Sequence, residues 1–357
     1  MSITARMENI LKYTAINFLS NHMFLKIILI FLCAFYTNIA FAKEQLILAV
    51  DLVRHGDRTP SHEIPKSPYH WKEGMGELTQ IGKQQELRLG AELRKKYVNF
   101  YHLLPENYSP NTMYAHSTDF HRTIESAKFL LLGLYPVETR IVEPSIEIIV
   151  VPKSDDKLLI AKPSRNVFSI IKMYLMTRNA WKEKTMFLQD KIALWSKETG
   201  ILISNFQNLS YIADNLFVRQ LHHISLPKGL TESDASEIIS LGEWAIVKAF
   251  KQPEISYPMG HEFLITVKKY FDKAAEKKSP LKFVLLSGHD ASIMSVMNTL
   301  GVPLNGLPGY ASDLNFLLFE DNKKYYVKIS LNNMPVIISK CNSSNLCSLD
   351  QFTELAN

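Results

Sequence analysis

The chain is poor in the features that define several protein classes. It has three cysteines in 357 residues, which excludes a disulfide-built scaffold and a cysteine-rich zinc array. It carries 40 Lys and Arg against 35 Asp and Glu, with both signs spread along the chain, so its composition disfavours nucleic-acid binding. Repeats and low-complexity stretches are absent from the sequence, and its hydrophobic fraction of 46% is that of a globular protein. At roughly 150 residues per domain, the length predicts one large domain or two modest ones.

The longest apolar run lies near the N-terminus and has the pattern of a signal peptide. Residues 24–42 read FLKIILIFLCAFYTNIAFA, with a lysine before the apolar run and an Ala-Phe-Ala triplet at its end. This pattern predicts a secretory signal peptide cleaved after Ala42, since the run is short for a membrane span. An uncleaved anchor is the minor alternative. We therefore expect an exported protein, either periplasmic or secreted. Met23 would start a compact signal, so the translation of residues 1–22 stays open.

Removal of the signal changes the charge and the cysteine count. Residues 1–42 hold three basic residues and one acidic residue, so the remaining 315 residues carry a net charge of +3. Cys33 is lost with the signal, and Cys341 and Cys347 remain. In an oxidising compartment these two cysteines are expected to form a local disulfide, with two unpaired thiols as the alternative. A disulfide that closes so short a loop would stabilise the fold only locally.

Hydrophobic patterns predict strands at both ends of the mature chain and helices in its middle. Residues 46–53 (LILAVDLV) are a nearly continuous apolar run, which is typical of a strand buried on both faces of a parallel sheet. The other predicted elements are strands at 147–151 and 284–286, a hairpin at 316–329, a helix behind the N-cap Thr79, a helix at 122–134, and a helix opened by a Thr231–Asp234 capping box.

The order of these elements predicts an α/β fold interrupted by a helical insertion. The α/β domain would comprise residues 43–152 and 277–357, and residues 153–276 would form the smaller, mostly helical insertion domain.

Charged side chains follow directly after two of the predicted buried strands. Residues 54–60 read RHGDRTP after the first strand, and residues 287–290 read SGHD after the strand at 284–286. Ligands of open α/β sheets bind outside the carboxyl ends of the strands, so these side chains are expected to share a pocket. A planar guanidinium group binds phosphate oxygens through two parallel hydrogen bonds. A histidine among arginines is favoured in its neutral, nucleophilic form. The pattern thus favours phosphoryl transfer through a phosphohistidine, with Asp290 as proton donor.

The first of these motifs resembles the RHGxRxP signature of the histidine acid phosphatases, the second branch of the histidine phosphatase superfamily. Three further segments resemble family elements in family order: GELTQIG at 76–82, STDFHRT at 117–123 and PGYAS at 308–312. The resemblance runs from about residue 50 to residue 320. It implies a three-layer, phosphoglycerate-mutase-like fold with a mixed sheet flanked by helices.

The resemblance also implies a role for each matching residue. His55 would be the nucleophile, and Asp290 would be the general acid that later assists attack by water. The phosphoryl oxygens would be bound by Arg54, Arg58, Arg122 and His289. Arginines would supply the charge stabilisation that metal ions supply elsewhere, so the resemblance implies no metal or other cofactor.

Several other residues have alternative interpretations. Asp57 either faces the pocket or serves the turn at Gly56. The adjacent pair His222-His223 and His62 are interpreted as solvated loop residues, because they lack the spacing of metal ligands. Residues 69–71 (Tyr-His-Trp) line the substrate mouth or pack on the surface.

The sequence also departs from the family pattern. His116 and His121 stand where relatives often have Arg and Asp, and Asp313 stands where animal members carry a cysteine. We expect these departures to alter the surroundings and the disulfides but not the chemistry.

The sequence therefore predicts an exported acid phosphatase of broad substrate range, which acts on small-molecule or phosphoprotein monoesters. A phytase or sugar-phosphate phosphatase is the alternative within the class, and a non-catalytic phospho-ligand binding protein is the alternative outside it. Transfer to an acceptor other than water is a third alternative. Family members are often homodimers, and no interface is legible in the sequence.

Overall fold

A computed structural model describes residues 44–136, 146–160, 167–341 and 346–357. Residues 45–357 form a compact unit. The predicted signal peptide lies outside the described residues and stays a prediction. Among the described residues, no helix combines the length and the apolar character needed to cross a bilayer.

The described strands form one mixed sheet. Its order is β3-β2-β4-β1-β5-β6-β7, and β8 pairs with β6. Strands β3, β2, β4 and β1 are parallel, whereas β5 to β8 pair antiparallel. The strands are β1 (Gln45–Arg54), β2 (Met113–Thr118), β3 (Ile149–Val151), β4 (Phe283–Gly288), β5 (Asp313–Asp321), β6 (Lys324–Leu331), β7 (Met334–Pro335) and β8 (Leu346–Ser348).

Helices flank this sheet and fill the middle of the chain. A wider π-type segment, Arg94–Phe100, continues the first helix. The helices are α1 (Gln80–Leu93), α2 (His121–Leu134), α3 (Val167–Thr177), α4 (Ala180–Thr185), α5 (Gln189–Thr199), α6 (Phe206–Leu221), α7 (Glu232–Phe250), α8 (Pro253–Ala275), α9 (Asp290–Thr299) and α10 (Leu349–Ala356).

The apolar run of β1 is continuous because both faces of this strand are buried. Leu48, Val50 and Leu52 belong to one hydrophobic core cluster, whereas Ala49 and Val53 belong to a second. Side chains alternate between the faces of a strand, so a two-sided core requires apolar residues at nearly every position. The predicted buried strand is confirmed, and so is the mixed α/β sheet flanked by helices.

Local sequence signals explain where the helices begin. The Thr79 hydroxyl accepts a hydrogen bond from the Gly82 amide at 3.1 Å and caps α1. Thr231 and Asp234 form the predicted capping box at the start of α7. The predicted hairpin is β5 and β6. These predictions are confirmed because each depends on neighbours in the sequence.

Two predictions concern the helical middle and the C-terminal cysteines. A separate core cluster lies within the helical part, built on Trp195, Leu209 and Ile238. The division into an α/β domain and a helical insertion stays a prediction. Cys341 and Cys347 form a disulfide, with their Cα atoms 4.8 Å apart.

Candidate active site

Three parallel strands bring the predicted site residues to one edge of the sheet. Strand β1 ends at Arg54, directly before His55, and β4 ends directly before His289 and Asp290. Strand β2 ends at Thr118, four residues before Arg122 in α2. The strands run the same way, so their carboxyl ends meet at a common crevice. We use "the crevice" for the site formed by Arg54, His55, Arg58, Arg122, His289 and Asp290.

The RHGDRTP loop lies against helix α1 at a contact that only glycine permits. A Cβ atom on Gly56 would lie 2.5 Å from the Gly82 carbonyl oxygen, and a Cβ on Gly82 would lie 2.1 Å from the Asp57 carbonyl oxygen. Both distances are far inside van der Waals contact, so a side chain at either position would push the loop away from the helix. This contact explains why the GELTQIG segment accompanies the first motif.

His55 is held in the orientation and charge state of a nucleophile. Its side chain is buried, and its Nδ1 donates a hydrogen bond to the Gly56 carbonyl at 2.8 Å. The proton therefore resides on Nδ1, and Nε2 keeps its lone pair. Burial lowers the pKa of His55 well below its ordinary value, and the charges of Arg122 and Arg54 lower it further. His55 is thus neutral even in acid solution.

Asp290 is the carboxylate of the crevice. Its Oδ2 lies 2.9 Å from a terminal nitrogen of Arg54, and its Oδ1 accepts the amide of Ala291 at 2.7 Å. Burial acts to raise the pKa of Asp290, but the charges of Arg54 and His289 outweigh it, so the pKa lies below its ordinary value. With the protein's charges alone, Asp290 is ionised.

His289 lies beside His55 and is bound to β2. The two imidazole rings meet edge to face, with their centroids 5.6 Å apart. The Nε2 of His289 is 3.0 Å from the Thr118 hydroxyl. Burial, reinforced by the charge of Arg122, lowers the pKa of His289 to about 3. Like His55, it is neutral in mildly acid solution, so it interacts with an anion through a hydrogen bond rather than through charge.

The three arginines differ in how many ion pairs and hydrogen bonds their guanidinium groups make within the protein. Arg58 makes a bidentate ion pair with Asp214 of α6, at 2.8 and 3.2 Å. Arg54 pairs with Asp290 and donates to the Pro308 carbonyl. The Nε of Arg122 is buried and has no hydrogen-bond partner among the described residues. Burial, together with the charge of Arg58, lowers the pKa of Arg122 to about 10. Arg122 is therefore the arginine with most capacity left for an anion.

Aromatic rings complete the wall of the crevice. The Arg54 guanidinium carbon lies 4.4 Å from the centroid of the Tyr310 ring, and that ring lies 5.8 Å from the ring of His55. The guanidinium carbon of Arg122 lies 4.6 Å from the Phe120 ring. Cations stacked on aromatic faces keep their outer N–H groups for hydrogen bonds. These rings therefore orient the two arginines.

The structure corrects one interpretation and shows the surroundings of Asp57 and Trp71. His222 is not a solvated loop residue: its Nε2 lies 2.8 Å from the buried Oδ2 of Asp57, and Trp71 packs against its ring at 5.4 Å. Asp57 also accepts a hydrogen bond from the Thr79 hydroxyl, so it ties the motif loop to α1 and α6. Trp71 is buried. The described residues contain no cluster of three or more His, Cys, Asp or Glu side chains suited to a metal ion.

Asp214 is the main site residue that the sequence analysis missed. It accepts hydrogen bonds from the Ser61 amide and hydroxyl at 2.8 and 2.7 Å, besides those from Arg58. It lies more than 150 residues from both partners, so no motif spacing links them. The available signal was an acid and an amide, Asp214-Asn215, between apolar residues of the region predicted to be mostly helical.

Comparison with known proteins finds relatives of this chain. Residues 45–172 match the sequence model of the histidine phosphatase superfamily, branch 2. Human prostatic acid phosphatase is 28% identical over 347 residues, covering 91% of this chain and 88% of the relative. Lysosomal acid phosphatase of Xenopus laevis is 29% identical over 341 residues, covering 90% and 78%. Over residues 45–172 this chain is therefore similar to branch 2 of the histidine phosphatase superfamily, and both of these relatives are named acid phosphatases.

Solved structures show the same fold. A Hafnia alvei phytase in complex with tartrate superposes with a TM-score of 0.64 at 16% identity, covering 88% of this chain and 97% of the phytase. A Citrobacter braakii phytase gives a TM-score of 0.62 at 17% identity, covering 87% and 97%. At these identities the likeness concerns the fold alone. The expected phosphoglycerate-mutase-like architecture is confirmed.

Proposed function

We propose that this chain is an acid phosphatase that hydrolyses phosphate monoesters to an alcohol and inorganic phosphate through a phosphohistidine at His55. The observation that carries the proposal is the neutral His55, whose unprotonated Nε2 lies among three arginines. A nucleophile surrounded by cations suits an anionic electrophile, because the arginines attract the phosphoryl group and keep the imidazole unprotonated.

The first step transfers the phosphoryl group to the enzyme. Nε2 of His55 attacks phosphorus, the ester P–O bond breaks, and Asp290 gives its proton to the departing alkoxide oxygen. In the second step a water molecule attacks the phosphohistidine and loses a proton to Asp290. The N–P bond breaks, inorganic phosphate leaves and His55 is neutral again. Asp290 thus returns to its protonated form in each cycle.

Substrate binding favours the protonated form of Asp290. The pKa of Asp290 is low chiefly because Arg54 faces it and outweighs the effect of burial. A phosphoryl group bound by the same arginine adds negative charge beside the carboxylate, which raises the pKa of Asp290 and favours its acid form. Activity should therefore fall as pH rises and Asp290 ionises in the complex. The lowered pKa of His55 keeps the nucleophile neutral over the same acid range.

The phosphoryl oxygens are bound by groups that remain free to donate. Arg122 contributes its unpartnered N–H, and Arg58 contributes the N–H groups that Asp214 does not occupy. His289 lies beside the ring of His55 and is held by the contact of its Nε2 with the Thr118 hydroxyl, and in this proposal it contributes a further hydrogen bond to the phosphoryl oxygens. Phosphoryl transfer needs mainly positioning and charge stabilisation, and these donors supply both.

The proposal includes export of the protein through its N-terminal signal. The Ala-Phe-Ala triplet that ends the apolar run at 24–42 supports a cleaved secretory signal. The Cys341–Cys347 disulfide suits an oxidising compartment. A periplasmic or secreted location follows from this proposal.

The test is to replace the nucleophile and locate the intermediate. His55→Ala should lower kcat on an aryl phosphate by about a thousandfold or more, because the variant lacks the imidazole that attacks phosphorus. Rapid quench with labelled phosphomonoester should trap the label on His55 of the native enzyme. Label on another residue, or undiminished turnover by His55→Ala, would contradict the proposal. His223→Ala, which alters an exposed histidine, is the matched control.

Steady-state kinetics on phytate and on simple monoesters separate the phosphatase from a phytase. An enzyme of broad range should have the higher kcat/KM on the simple esters. A binding protein without turnover would bind phosphate and release no alcohol.

A further inference from the structure

A lysine outside the crevice lies beside its phosphate-binding wall. Lys153 follows β3 by two residues, and its Nζ is 4.1 Å from the centroid of the Phe120 ring. The same ring stacks on Arg122 at 4.6 Å, so the two cationic centres lie within about 9 Å of each other. Phe120 also contacts His289 edge to face at 4.9 Å. Lys153 therefore belongs to the border of the crevice.

The backbone that carries Lys153 is anchored on two sides. Asp156 is buried and pairs with His116 of β2, with Nε2 and Oδ2 3.1 Å apart. The Leu159 carbonyl accepts the hydroxyl of Ser292 at 2.6 Å, and Ser292 lies two residues after Asp290 in α9. Because β2 ends four residues before Arg122 and α9 begins at Asp290, the backbone at Lys153 has a defined position relative to the crevice.

The charge of Lys153 has no carboxylate partner among the described residues. Within the same part of the chain, Arg54 and Arg58 each pair with an aspartate, whereas no ion pair involves Lys153. Its side chain is exposed, and the aromatic face of Phe120 holds the ammonium group without neutralising it. Such a cation attracts an anionic group that enters the mouth of the crevice.

We propose that Lys153 binds a second anionic group of the substrate, a carboxylate close to the phosphate ester. The enzyme would then prefer small phosphorylated carboxylic acids over phosphomonoesters of neutral alcohols. This inference rests on the proposed phosphatase activity and adds a substrate class to it. Lys153 is a specificity residue, because it contacts the part of the substrate that does not react.

The test compares two substrates that differ only in the second anion. 3-Phosphoglycerate and glycerol 3-phosphate both carry the phosphate on a primary carbon, and a carboxylate in the first replaces a hydroxymethyl group in the second. The measured quantity is the ratio of their kcat/KM values. Native enzyme should favour the carboxylate, and the ratio should fall about three- to fivefold in Lys153→Met, the range expected for a partly exposed ion pair. High salt should lower the native ratio in the same direction.

Two control variants make the result specific. Lys153→Arg keeps the charge and should keep the ratio. Lys157→Met removes a charge from another exposed lysine of the same segment and should leave the ratio as in native enzyme. An equal ratio in native enzyme and Lys153→Met would overturn the inference while leaving the phosphatase proposal intact. Failure of the native enzyme on every phosphomonoester, aryl phosphates included, would instead contradict the proposed function.

Discussion

Two neighbouring regions along β1 both bury ionisable side chains, yet they have opposite charge. The crevice at the end of β1 collects three arginines and two neutral histidines around Asp290. Three residues earlier in the same strand, Asp51 belongs to a second group, which we call the carboxyl cluster: Asp51, Glu86, Asp313 and the phenol of Tyr97. Tyr97 and Asp51 are fully buried, and the phenol oxygen lies 2.8 and 2.9 Å from the two carboxylate oxygens.

The two regions reduce the cost of buried charge in different ways. Arginine keeps its proton at any ordinary pH, so the crevice retains positive charge that an anionic substrate can compensate. Carboxylates can instead take up a proton. Burial raises the pKa of Asp51 well above its ordinary value, and the neighbouring Asp313 raises it further. Burial likewise raises the pKa of Glu86 well above normal and that of Asp313 to about 6.

The charge of the crevice suits an anionic ligand, whereas the carboxyl cluster suits an acid solution. A bound anion would compensate the positive charge of the crevice, whereas acid solution would protonate the carboxylates of the cluster. Both conditions would be met in the proposed acid phosphatase. Substitutions in the two regions should therefore affect different measurements.

The largest expected effect is the loss of the acid of the crevice. Asp290→Asn cannot protonate a leaving group, so kcat on an alkyl phosphate should fall roughly 10³-fold. An aryl phosphate with an acidic phenol needs less protonation and should lose far less. Steady-state kinetics on both esters measure the difference. Equal losses on both substrates would mean that Asp290 acts by positioning and not as an acid.

A somewhat smaller effect is expected from breaking the ion pair that holds Arg58. Asp214→Asn leaves a largely buried guanidinium without its counter-charge, which should lower the free energy of unfolding by about 3 kcal/mol. Inorganic phosphate should restore part of this loss, because an anion in the crevice compensates the same charge. Urea unfolding with and without phosphate is the measurement.

The control for Asp214 is an exposed ion pair. Glu254→Gln breaks the pair with Arg178, whose side chains are 52% and 62% exposed. That change should cost less than about 1 kcal/mol and should not respond to phosphate. Equal losses in the two variants would remove the distinction between buried and exposed pairs.

The smallest effect concerns the pH dependence of stability in the carboxyl cluster. A carboxyl whose folded-state pKa is raised binds its proton more tightly when folded, so its stabilisation is complete below the unfolded-state pKa. That stabilisation is lost as pH rises through the folded-state value. For Asp313, with a pKa raised from 3.8 to about 6, the loss between acid and neutral pH is at most about 3 kcal/mol.

Asp313→Asn should therefore flatten the pH dependence of stability. The amide is neutral at every pH, so the variant should be more stable than native protein at neutral pH and similar to it in acid. Urea unfolding at both pH values tests this. Asp155→Asn, which changes an exposed carboxylate, should keep the native pH dependence. A parallel shift of Asp313→Asn at both pH values would show that the carboxyl does not titrate there.

Much of the fold was predictable because it depends on local pattern. The apolar run at 46–53 predicted a doubly buried strand, and Thr79 and Thr231 predicted two helix starts. The domain boundaries were not accessible in the same way, because they depend on which long-range contacts dominate.

The same distinction between local pattern and long-range contacts applies to the candidate site. Its motif residues were found because strand ends deliver them and because the motifs are contiguous. Asp214, Phe120 and Lys153 were missed, and His222 was interpreted wrongly, because their partners lie in other elements. The sequence offers no spacing rule for a pair such as Arg58 and Asp214.

The sequence by itself determined the resemblance to the family, the order of the elements and the residues proposed to carry the chemistry. Each of these follows from short-range periodicity or from contiguous motifs. The neutral form of His55 was already expected from the sequence, whereas the tertiary structure alone decided the lowered pKa of Asp290 and the raised pKa values of the carboxyl cluster. A pKa depends on burial and on charges that are close in space, and the folded chain brings together residues that the sequence keeps far apart.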